Sequence, residues 1–256
     1  MHPGTVREVK STVRILGWAH GRAMLADARD PGPRRGLSVR ARRAMLSAAL
    51  GTLIGAAMGV ATALAQPHAQ RPWSALVNSA SPWLLAAFVA GALRARPAPA
   101  AVAGLATCLV EVGAYFLTWD ARHVLVPNAY GSFWTICAVT GGPAAGLAGW
   151  AWRRGTPRVH GLGAAFLPGT FLAEALGAYG LRLHYEPAEA IFLAIGVALF
   201  ALLAWPGTGL GLITQPASGP VILGWTAFFT VAGMLIYGPL LDAVVGITSG
   251  GIWPRR

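Results

Sequence analysis

Twenty-two consecutive residues, Ala44 to Ala65, carry no charge. A helix of that length covers about 33 Å, the thickness of a bilayer's hydrocarbon core. Six more apolar runs follow: Leu76 to Leu93, Ala98 to Trp119, Ser132 to Trp152, Gly161 to Leu181, Ala188 to Trp205, and Val221 to about Val245. Inside a bilayer the peptide groups must be satisfied internally, and runs of this length do so as helices. With 55% hydrophobic and only 11% charged residues, the chain has too few polar side chains to coat a soluble particle. The expected fold is all-α: a polytopic transmembrane helical bundle of about seven spans. Three segments are expected, namely a basic cytoplasmic N-terminal segment (1–43), the transmembrane helical domain (44–246) and a C-terminal tail (247–256).

The second run is interrupted by Asn78-Ser79-Ala80-Ser81-Pro82. Ser81 is a candidate cap for a shorter helix opening at Pro82. Six spans plus a re-entrant segment is therefore the alternative to seven. Pro239 in the last run predicts a kink, because proline removes a backbone donor.

The formal charge of +11 does not point to nucleic acid, because the cations do not form a face that tracks phosphates. Ten of the twenty Lys and Arg residues lie at or before Arg43. With that end in the cytoplasm, Arg94, Arg96, Arg153, Arg154 and Arg158 also fall inside, leaving Arg71, Arg122, Arg182, Arg255 and Arg256 outside. The expected location is the bacterial inner membrane with the N-terminus cytoplasmic. Val6, Val9, Val13 and Leu16 recur at helical spacing, so residues 1–43 read either as a surface-lying amphipathic helix with Trp18 at the interface or as a disordered tail. Arg42-Arg43 before the first run raises an export signal, but that run is longer than a signal core and further spans follow it. Cys108 and Cys137 lie inside apolar runs, as free packing thiols do.

Glu111 and Glu174 are the most informative residues, because a carboxyl far from either end of a span is costly and is usually kept for a partner or a pathway. Each lies thirteen residues into its run, about 20 Å deep, so the two are expected at one level. Their surroundings also repeat: Leu109-Val110-Glu111-Val112-Gly113-Ala114-Tyr115 resembles Leu172-Ala173-Glu174-Ala175-Leu176-Gly177-Ala178-Tyr179, with one residue inserted. Tyr115 shares the helix face of Glu111, whereas Tyr179, five after Glu174, should sit off it. On the functional reading Glu111, Glu174, Tyr115 and Tyr179 line a polar cavity for a proton, a cation or a cationic solute. On the structural reading each carboxyl is protonated or hydrogen-bonded and fixes helix packing.

Asp120, His123, His184, Glu186 and Glu189 gather near the predicted outer ends of spans. Their spacings suit solvated loops better than metal ligation. No metal and no cofactor is expected. Ser47, Gly51, Gly55, Gly59 and Ala63 form a small-residue ridge, as do Gly169, Ala173 and Gly177. The first ridge serves either a contact within the bundle or, through Gly51, Gly55 and Gly59, a membrane partner subunit or homo-oligomer. Gly141-Gly142-Pro143 predicts an unwound or kinked helix. Enzyme signatures such as GxSxG and HExxH are absent from the sequence, so no enzymatic activity is expected.

The stretch Ser81-Pro82-Trp83 through Phe88-Val89-Ala90-Gly91-Ala92-Leu93, followed by Gly142-Pro143 and Gly146-Leu147-Ala148-Gly149, resembles an uncharacterised family of actinobacterial multi-span membrane proteins over about residues 44 to 205. That resemblance implies a membrane bundle and no particular activity. A fainter likeness, to the six-helix substrate-binding subunits of energy-coupling vitamin transporters, rests on size and the small-residue first helix. The residues together lead to the expectation of a small-solute or ion transport component, with a non-transporting subunit or assembly factor as the alternative.

Overall fold

The computed structural model describes residues 34–124, 128–204 and 217–249. The amphipathic segment expected before residue 34 and the end of the C-terminal tail lie outside the described residues. The chain divides into two units, Met1–Arg42 and Arg43–Arg256, and the packing below is that of the second.

The described residues are all-helical, with no strand among them. The helices are α1 (Arg34–Ala65), α2 (Ser74–Val77), α3 (Ala80–Ala92), α4 (Pro97–Ala121), α5 (Asn128–Arg154), α6 (Pro157–Ala173), α7 (Glu186–Ala204) and α8 (Gly219–Ser249). The rod that begins as α6 continues without a break as a π-helix, Glu174–Arg182. Five segments are long and apolar enough to cross a membrane: Met45–Ala65, Pro97–Ala121, Pro157–Arg182, Glu186–Ala204 and Gly219–Pro239. Their outward faces carry large apolar side chains, among them Met45, Leu117, Leu181 and Leu235, all exposed. So many exposed apolar side chains on helices of this length suit lipid better than water, the pattern of a membrane protein.

Glycines determine which helices touch, because a missing Cβ lets two backbones meet. A Cβ on Gly59 would strike the carbonyl oxygen of Glu111, and one on Gly51 would meet the Thr107 hydroxyl and Ala90. The ridge on α1 is thus seated on α4, and the two helices run parallel. Gly169 and Gly177 likewise lie against Phe229 and Met234, so α6 and α8 also run parallel.

Helix α5 packs on both α3 and α4. Gly146 meets Gly91 of α3 and Ala100 of α4, and Gly142 meets Gly104. Of the two expectations for Gly141-Gly142-Pro143, the unwound one is corrected: α5 is helical throughout, with Pro143 inside it. The glycines serve a close crossing, not an unwound turn.

The interrupted second run divides as anticipated into α2 and α3, but α3 opens one residue before Ser81, with Ser79 at the cap position. The segment runs antiparallel to α1 along nearly all of its apolar length. Asn78 is hydrogen-bonded to Gln66 just past the end of α1, Ala90 lies by Gly51, and Arg94 donates to the hydroxyl of Ser47.

Two cores result. The larger centres on Trp83, stacked on Trp134 at 5.3 Å and edge-on to Tyr115 at 5.4 Å. The smaller gathers Phe171, Ala175, Ala178, Tyr179 and Phe192.

Candidate functional site: a buried helix break and two carboxyls

A helix leaves its first N–H groups without partners, and in an apolar interior they must find acceptors. The N-terminus of α3 is buried, with Ser79 and Ser81 at 2% and 0% exposure. No serine side chain caps it. Glu174 does so from the start of the π-helix: one carboxyl oxygen accepts the N–H of Ala80 at 3.3 Å and the other that of Ser81 at 3.1 Å. The carboxyl oxygens face the positive end of the helix dipole, a favourable placement. At the other end of α3, the Arg153 guanidinium donates to the Ala92 carbonyl at 3.2 Å. This short helix therefore has an acid from the π-helix at one end and a base from α5 at the other.

The hydroxyls freed from capping turn elsewhere. Ser79 is hydrogen-bonded to the Tyr179 hydroxyl, which also donates to the Ala75 carbonyl at 3.3 Å. Ser81 is hydrogen-bonded to Tyr237 of α8 at 3.1 Å. A second arm reaches the same break from α4: Tyr115 donates to Gln66, Gln66 to Asn78 at 2.6 Å, and Asn78 to the Ser74 carbonyl at 2.7 Å. Residues 78–81 are thus the point on which Tyr115, Glu174, Tyr179 and Tyr237 converge.

Tyr179 reaches this point although it was expected off the face of Glu174. The π-helix supplies the reason. Its i→i+5 spacing absorbs the residue by which the second repeat exceeds the first, so Glu174 and Tyr179 share a face as Glu111 and Tyr115 do on an α-helix.

Glu111 stands apart. It is fully buried, and neither carboxyl oxygen has a hydrogen-bond partner. Thr107, Cys108, Val112 and Tyr115 share its buried face of α4. The nearest hydroxyl one turn earlier, Thr107, donates to the Ala103 carbonyl instead. No arginine or lysine is among the buried side chains of the described residues. Glu111 lies beside Gly59, and Glu174 beside the first residues of α3, so both are nearer the Gln66–Asn78 end of the bundle than the Ser47–Arg94 end. No hydrogen bond joins the two carboxyls, and they border different cores.

Among the described residues no three His, Cys, Asp or Glu side chains gather as a metal would need. Asp120, His123, His184 and Glu186 are exposed, and Glu189 is half-buried against Gly180. His123 and His184 occupy the left-handed region, with φ of 56° and 48°, each just past a helix end.

Sequence reasoning missed Gln66, Arg153 and Tyr237. Tyr237 had one available signal, as the lone tyrosine of the last run, two residues before Pro239.

The model of a family of unknown function, DUF6518, matches residues 38–243, and the chain belongs to that family. No curated protein and no solved structure matches the chain.

Proposed function

We propose that this DUF6518 member is a small-solute or ion transport component of the bacterial cytoplasmic membrane, working through buried carboxyls in a seven-crossing bundle. The single observation that carries the reading is Glu111, fully buried with both carboxyl oxygens unpartnered. A bare carboxylate is among the costliest groups to bury, so this side chain must hold either a proton or a cation.

The buried break at residues 78–81 supports the same reading. Broken helices whose ends lie inside the bundle, met by polar side chains, are how transporter folds build sites away from water. Here Glu174, Tyr179 and Tyr237 meet one such end, and Tyr115 reaches it through Gln66.

The helix directions support this topology. A re-entrant α2–α3 segment would return the chain to the side where α1 ends and set α4 antiparallel to α1, whereas α1 and α4 run parallel and α3 runs antiparallel to α1, as a second crossing would. With the arginine-rich N-terminus inside, Arg94, Arg96, Arg153, Arg154 and Arg158 all fall on the cytoplasmic side. The Arg153–Ala92 hydrogen bond supports grouping the two loops at one end.

The test is a flux measurement. The full chain, reconstituted in vesicles of phosphatidylethanolamine and phosphatidylglycerol, is given a potassium diffusion potential, and proton and sodium movements are followed with dyes. Flux above empty vesicles that is lost in Glu111→Gln supports the proposal. Equal flux in both proteins, or none in either, rejects it.

A further inference from the structure

A carboxyl that must hold either a proton or a cation can be asked which of the two its surroundings fit. We infer that Glu111 carries a proton and that the site does not take a metal cation. The inference rests on the transport reading above and names the ion for that site.

The argument is one of ligand supply. A dehydrated hard cation such as sodium, potassium or calcium needs several oxygen ligands arranged around it. Glu111 supplies two oxygens, and its surroundings add few. On its own face of α4, Thr107 directs its hydroxyl at the Ala103 carbonyl, Cys108 offers a soft thiol, and Tyr115 directs its hydroxyl at Gln66. From α1, Gly55 and Gly59 bring no side chain against the backbone of Thr107 and Glu111, and the buried Thr62, one turn beyond Gly59, adds at most one hydroxyl. From α3 the same core receives Trp83, Ala87 and Phe88, and from α5 Trp134 and Ala138. The other titratable groups bordering this core are Cys108, Tyr115, Tyr130, Cys137 and, against Ala217, His160, none of them a hard carboxylate.

The carbonyl oxygen of Glu111 itself is covered by Gly59, where even a methyl group would not fit. A proton needs only one lone pair and no shell, and it leaves a neutral carboxyl that an apolar core tolerates far better than a charged one. Glu174 differs in this respect, since its two oxygens are already engaged by the N–H groups of Ala80 and Ser81.

The test uses a membrane-permeant probe of protonated carboxyls. The full-length protein in vesicles is treated with dicyclohexylcarbodiimide. The carboxyl O–H adds across the reagent's C=N bond, the acyl group migrates to nitrogen, and the stable N-acylurea is located by peptide mass mapping. The expected result is modification of Glu111, lost in Glu111→Gln, declining as pH rises, and unchanged by excess sodium, potassium or calcium.

Protection of Glu111 by any of these cations would overturn the inference, as would absence of modification at Glu111 in the intact protein. The two readings fail separately. Sodium-driven flux that needs Glu111 sinks the proton assignment and keeps the transport reading, whereas proton-dependent labelling without any flux does the reverse.

Discussion

The carboxyl of Glu174 accepts the backbone N–H of Ser81 at 3.1 Å, across ninety-three residues of sequence. That contact makes a broken second crossing tolerable, because it gives the opening N–H groups of α3 the acceptor that water would otherwise provide. It also gives Glu174 a role distinct from that of Glu111, although the sequence presents the two as a matched pair.

Replacing Glu174 with Ala should leave the N–H groups of Ala80 and Ser81 buried without acceptors, at a cost of roughly 1–3 kcal/mol. Glu174→Gln keeps one acceptor oxygen and should recover part of the loss. Thermal unfolding in mild detergent checks the order: wild type, then Gln, then Ala. Equal stability of all three would show that the cap does not matter.

Gly59→Ala should destabilise the bundle by roughly 1–3 kcal/mol, because its Cβ would strike the Glu111 carbonyl and the helices must separate. Gly113→Ala is the control, since nothing lies within 4 Å of a Cβ there. Alanine is the better helix former by roughly 0.5–1 kcal/mol, so this variant should gain stability. Unfolding midpoints of opposite sign are expected from the pair.

Much of this architecture is legible in the sequence. Long uncharged runs called for helices, Asn78 to Pro82 called for a break, and the ridges Gly51-Gly55-Gly59 and Gly169-Ala173-Gly177 called for close contacts that the helices do make. What could not be read depends on tertiary partners. No local rule pairs Gln66 with Tyr115, or shows that Gly142 and Gly146 give up flexibility to let three backbones cross. Uniform helical spacing sets Tyr179 somewhat off the face of Glu174, and the inserted residue in the second repeat is itself the signal for the wider turn that brings it back.

Deleting Leu176 removes that inserted residue, so the segment from Glu174 to Tyr179 should revert to α-helical spacing and keep the Tyr179–Ser79 contact. The variant should fold with a melting temperature close to wild type. Deleting Gly113 from α4, where no extra residue exists, should rotate Tyr115 away from Gln66 and abolish folded protein. Size-exclusion profiles and melting curves compare the two. A deletion at Leu176 as harmful as that at Gly113 would argue against the repeat.

Arg182 and Asp242 form an ion pair with both side chains well exposed. Such pairs contribute little, so Asp242→Asn should change stability by less than about 1 kcal/mol. A larger loss in the melting experiment would assign this contact a part in holding α8 to the π-helix.

The central claim is that Glu111 sits unpartnered in an apolar core and carries a proton there. Infrared spectroscopy of the membrane-embedded protein, as a difference between wild type and Glu111→Gln, tests it most directly. The account predicts loss of one protonated-carboxyl C=O band in the variant, at a position typical of a carbonyl free of hydrogen bonds. If the variant instead lost only carboxylate bands, Glu111 would be ionised in the membrane and the account would be wrong.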